Sequence, residues 1–149
     1  MLGRMETLVL GESKIRVDVE RTRATYALID SGNWSKCGCA YCMNFGAVAL
    51  KAFPPEVLAF FERAGIDPLK DAEVYEFGES RPGFHSYGGE FYMWGEEVNA
   101  ALGDIRADPT FKFTFMPPSP LAQNEFRGSG ALCFLFEAEL PWADNSGAT

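Results

Sequence analysis

Positive charge is scarce in this sequence: 13 Lys and Arg stand against 21 Asp and Glu, a formal net charge of −8 over 149 residues. Nucleic-acid affinity comes from cationic side chains that displace counterions from phosphates, so this balance argues against a nucleic-acid partner. No run of five or six basic residues exists to adhere to an anionic membrane surface. Long apolar runs are missing as well, and nothing approaches the ~18 residues of a membrane helix. The opening Met1-Leu2-Gly3-Arg4-Met5-Glu6 lacks the apolar stretch and small-residue cleavage site of a signal peptide. The expected compartment is the cytoplasm, and the expected partner is a protein or a small apolar molecule rather than a nucleic acid or a membrane.

Catalytic signatures are equally thin. Histidine occurs once, at His85. There is no G-x-S-x-G elbow, no H-E-x-x-H helix and no G-x-x-x-x-G-K-[ST] phosphate loop. A nucleophilic Cys42–His85 pair would require the fold to bring the two together. Glu137 and Glu139 fall on one face of a strand, where solvation is expected. These absences favour a binding domain over an enzyme.

The length suits one domain, expected over 1–142 with a disordered tail at 143–149. A chain of this size buries roughly two-thirds of its unfolded surface, and 13 Phe, five Tyr and three Trp supply an aromatic interior. Cysteines are therefore not required as staples.

The periodicity is mainly that of strands. Ile15, Val17 and Val19 alternate with charged residues, and Tyr26–Ile29 reads as a second strand after a turn at Arg21-Thr22-Arg23. Helical spacing is confined to about 45–65, with Asn44 as the expected N-cap. Pro54-Pro55 divides that stretch into a pair, and Gly65 is the expected left-handed C-cap. Glu73–Phe77 reads as a strand and Arg81-Pro82-Gly83 as a turn. Phe84–Tyr87 and Glu90–Trp94 flank Gly88-Gly89, the expected turn of an aromatic hairpin. Phe111, Phe113 and Phe115 alternate, Pro117-Pro118-Ser119-Pro120 is a rigid loop, and Ala131–Leu140 is the longest strand. The expected class is mainly β (α+β): an antiparallel sheet or sandwich of about seven strands carrying a helical pair.

One concentrated chemical feature remains: Cys37-Gly38-Cys39-Ala40-Tyr41-Cys42. Gly38 permits a tight turn, and the two-residue gap lets Cys39 and Cys42 face one ion. Zinc takes four such ligands at tetrahedral angles. The cluster supplies three, leaving Cys133, His85 or a carboxylate such as Asp30 as the candidate fourth. The same thiols also read as a dithiol redox pair, Cys39 and Cys42, activated by a helix N-terminus. The simplest alternative is burial as small apolar side chains, the favoured reading for Cys133. A second candidate is the aromatic ribbon, where His85, Tyr87, Tyr92 and Trp94 could form a ligand surface. Packing against helices on one face and a loop on the other is its commoner explanation.

Cys39-Ala40-Tyr41-Cys42-Met43-Asn44-Phe45, Gly65-Ile66-Asp67-Pro68-Leu69-Lys70, Tyr87-Gly88-Gly89-Glu90-Phe91-Tyr92 and Leu140-Pro141-Trp142 together resemble a family of uncharacterised bacterial domains. The resemblance implies a stand-alone bacterial domain of unknown function and supplies no catalytic residues.

Overall fold

The computed structural model describes residues 4–99, 105–108 and 110–143. The expected tail therefore lies, beyond Ala143, outside the described residues. The strands are β1 (Met5–Leu10), β2 (Ser13–Asp18), β3 (Glu73–Arg81), β4 (Phe84–Asn99), β5 (Ile105–Asp108), β6 (Phe111–Met116) and β7 (Ala131–Pro141). The helices are α1 (Val19–Leu28), α2 (Asn33–Cys37), α3 (Ala40–Ala52) and α4 (Pro55–Ala64).

Among the described residues the seven strands join one antiparallel sheet of order β1-β2-β4-β7-β6-β5, with β3 paired to β4 off this path, so the alternative of a sandwich is set aside. Strand β4 organises it. Along one edge it pairs with β7 from Phe84↔Pro141 to Trp94↔Ala131. Along the other it pairs first with β3, from Phe84 to Glu90, and then with β2, from Gly95 to Asn99.

The two faces of β4 bury different partners, as strand alternation requires. Phe91 faces the helical pair, where Phe61 lies 4.8 Å away between ring centroids. From the neighbouring β7, Phe134 meets Phe60 and Phe61, and Phe136 meets Phe45 and Phe53. Tyr92 and Trp94 face the other way, against Phe126 of the loop that follows β6. The expected helical pair is present, and Gly65 ends α4 at φ 87° as its left-handed cap. No helix among the described residues is long and apolar enough to cross a membrane.

Two local expectations are corrected. Residues 19–28 form α1 in place of a turn and a strand. Asp18 caps the helix by accepting from the Arg21 N–H at 3.0 Å. Its buried stripe is largely polar. Thr22 Oγ1 accepts from the Trp94 N–H, Trp94 Nε1 donates to Thr25 Oγ1, and the Tyr26 hydroxyl donates to the Tyr92 carbonyl. A stripe of threonines leaves no helical period in hydropathy, which is why pattern reading misses it.

The second correction concerns Gly88-Gly89, which lies within β4; the β3–β4 turn is instead at Pro82-Gly83. These glycines serve close approach. A Cβ on Gly88 would meet the Tyr75 ring at 2.6 Å, and one on Gly89 would meet the Glu73 carbonyl at 2.6 Å and the Phe136 ring at 2.7 Å.

Candidate metal centre

The thiol cluster is built at the junction of α2 and α3. Cys37 is the last residue of α2. Gly38 then reverses the chain at φ 71°, in the left-handed region that favours glycine. Cys39 is extended and caps α3, its Sγ accepting from the Cys42 N–H at 3.4 Å. This corrects the helix start: Cys39, not Asn44, is the N-cap. The three cysteine sulfurs lie within 4.8 Å of one another.

Their environments differ. Cys37 and Cys39 are exposed, whereas Cys42 is buried. The Cys42 N–H, helped by the thiols of Cys37 and Cys42, holds the Cys39 thiol below the usual range. Burial, followed by the neighbouring thiols, pushes Cys42 well above it. Cys39 is thus the thiol best placed to carry negative charge at the helix N-terminus.

Among the described residues no fourth ligand atom joins the group. Cys133 cannot, because strand alternation turns it to the Tyr92 face, away from α3. Burial pushes its thiol up to about 12. Asp30 is exposed and outside the group. His85 lies on the correct side but is engaged elsewhere. Its Nδ1 is 2.6 Å from Glu76 Oε2, and its ring stands 4.7 Å from Trp142 and 6.0 Å from Tyr41. Because no His85 nitrogen joins the thiol group, the fold does not join Cys42 and His85 into a nucleophile–base pair.

The structure does bring the two sequence candidates into one neighbourhood. The Tyr87 hydroxyl donates to the Tyr41 carbonyl at 2.8 Å, within the Cys39–Cys42 segment. Asn44 Nδ2 donates to Tyr87 Oη and to the Pro141 carbonyl, while its Oδ1 accepts from the Ala143 N–H at 2.8 Å. This buried amide ties the first turns of α3 to β4 and to the end of β7. Its only sequence signal is an Asn inside a largely apolar helix.

Most of the aromatic ribbon is covered. Tyr87, Tyr92 and Trp94 are buried, and among the four named residues only His85 keeps solvent access. Tyr92 is held by Glu90 at 2.7 Å and Trp94 by Thr25 at 2.9 Å, because β4 is covered on both faces. The edge of Trp94 borders a cavity of about 340 Å³ with Met5, Arg21 and Glu96. A cavity of about 290 Å³ borders Ala40, Met43, Ala47 and Trp142 beside the thiols, and another of about 710 Å³ lies among Arg23, Tyr26, Leu50, Leu58 and Lys70.

Two further residues position Cys37. Trp34 packs its ring on Gly46 of α3 and donates Nε1 to the Leu69 carbonyl at 2.9 Å. At the other end of α2, the Asn33 N–H donates to the Asp71 carbonyl at 3.1 Å. Both carboxyl oxygens of Asp71 are buried without a hydrogen bond. Burial pushes its pKa up to about 7, opposed by the backbone N–H groups of Trp34, Asp71 and Asn33, which approach the carboxyl without reaching good hydrogen-bond geometry. Sequence reading did not reveal these contacts, because each links residues distant along the chain.

Comparison with known proteins gave no match: no family model, no curated protein and no solved structure matches the chain.

Proposed function

We propose that this chain is a non-enzymatic cytoplasmic binding domain that holds a zinc ion through Cys37, Cys39 and Cys42. The observation that carries the reading is the convergence of three sulfurs within 4.8 Å, from two helices and the turn between them. Tetrahedral zinc with bonds of about 2.3 Å spaces thiolates by about 3.8 Å, so small side-chain rotations close the site. A structural zinc site has four protein ligands. Here the fourth position falls to water or to a donor supplied by a partner.

Elemental analysis of protein purified without chelator tests this. Roughly one zinc per chain is expected, falling on replacement of Cys37 or Cys39 by Ser; below ~0.2 per chain the reading fails.

A second reading is favoured by one specific contrast: Cys39 is exposed with a lowered pKa, and Cys42 is buried with a raised one. That is the division of labour of a thiol–disulfide oxidoreductase. The Cys39 thiolate attacks a partner disulfide and releases one partner thiolate. Cys42, giving up its proton, then attacks the mixed disulfide, releasing the second partner thiol and leaving a Cys39–Cys42 disulfide. In metal-free protein this predicts that Cys39 alkylates fastest, with a midpoint pH below that of an ordinary cysteine. Equal, slow alkylation of all three thiols would eliminate it.

A further inference from the structure

We propose that Cys37, Cys39 and Cys42 form a three-thiol receptor for trivalent arsenic, bound as a pyramidal trithiolate. The proposal deepens the metal-binding reading of this site and shares its premise that the sulfurs converge, though not its choice of zinc.

The number and kind of donors argue for it first. The group contains three sulfurs, and no His, Asp or Glu ligand atom among the described residues joins it. Zinc held by three thiolates still requires a fourth donor. Trivalent arsenic does not: its lone pair occupies the fourth corner, and its three bonds point to one side. Thiolate donors also suit soft, thiophilic centres over those that prefer oxygen.

Geometry is the second argument. Two of the thiols, Cys37 and Cys39, are exposed, while Cys42 anchors the site from the first turn of α3. The two exposed side chains can therefore turn towards a common atom without disturbing the core.

Charge is the third. Three thiolates on a divalent ion leave a net charge of −1 on a chain already at −8. Across residues 33–52 the only charged side chains are Lys36 and Lys51. The arsenic trithiolate is neutral and requires no compensating cation. In forming it, arsenous acid exchanges three As–O bonds for three As–S bonds. Each thiol proton leaves with a hydroxyl as water, and arsenic stays trivalent throughout.

The test is titration of the reduced, metal-free full chain with arsenite, followed by native mass spectrometry and peptide mapping of alkylated cysteines. One arsenic per chain is expected, with Cys37, Cys39 and Cys42 all protected. Replacing Cys37 or Cys39 by Ser leaves two arms, and affinity should fall by about a hundredfold. Phenylarsine oxide, which takes only two thiols, should bind the native chain and Cys37→Ser alike. Equal arsenite affinity of native and Cys37→Ser protein would overturn the proposal, reducing the site to a dithiol. Zinc uptake without arsenite uptake would also overturn it and leave the zinc reading standing. Arsenite uptake without zinc would support it and remove zinc alone. Uptake of neither would sink the convergent-thiol premise itself.

Discussion

Gly46→Ala should destabilise the fold by about 1–3 kcal/mol, the range for forcing extra volume into a packed site, and should release Cys37 from the thiol cluster. The direction is the informative part. In an exposed helix the same change stabilises by roughly 0.5–1 kcal/mol, because alanine is the better helix former. In α3 a Cβ at this position would fall well inside van der Waals contact of Cζ3, Cε3 and Cη2 of Trp34. The ring cannot slide away freely, since its Nε1 is bonded to the Leu69 carbonyl. Moving it moves α2, a helix of five residues that ends in Cys37. Denaturant unfolding reads the stability, and metal or arsenite stoichiometry reads the cluster. A variant as stable as the native chain with unchanged binding would show that Trp34 does not position Cys37.

Asp71→Asn should raise stability at pH 8 by about 1–3 kcal/mol and flatten its dependence on pH. Asp71 is buried with neither carboxyl oxygen hydrogen-bonded, and its pKa rises from 3.8 to about 7. The folded state therefore keeps a proton that the unfolded chain has lost across that interval. Unfolding releases this proton, so native stability is full below about pH 4. It declines as pH rises to about 7 and is level above. Three units correspond to at most about 4 kcal/mol. The new amide's unpaired hydrogens reduce the gain from replacing the acid. Glu73 nearby pushes the pKa in the same direction, so Glu73→Gln should shift the transition slightly to lower pH. Urea unfolding from pH 4 to 8 measures both effects, and parallel profiles for native and variant protein would refute the assignment. Because the Asp71 backbone also holds the start of α2, the stabilised variant should keep the thiol cluster intact.

Much of the fold was legible where a residue's preference is local. The alternating Phe111, Phe113 and Phe115, the long apolar run of β7, the proline division between α3 and α4 and the Gly65 cap all follow from period, ring constraint and φ. Legibility failed where burial is polar or where glycine has two uses. Thr22 and Thr25 are buried by hydrogen bonds to Trp94, an arrangement no hydropathy pattern records. Gly88-Gly89 has the composition of a turn but serves the close approach of Tyr75 and Phe136. The candidate site divides in the same way. The three cysteines were evident from spacing, whereas Asn44, Tyr87, Trp34, Gly46 and Asp71 act through contacts between residues distant along the chain.

By itself the sequence determined the acidic character, the strand-rich class and the proximity of Cys37, Cys39 and Cys42, since all three lie within six residues about one glycine. Only the tertiary structure decided which other groups reach them. Strand parity turns Cys133 to the opposite face, Glu76 and Trp142 engage His85, and the packing of Trp34 on Gly46 sets where Cys37 stands. Sequence spacing controls distances over a few bonds, but across a sheet the pleat and the packing of rings control them.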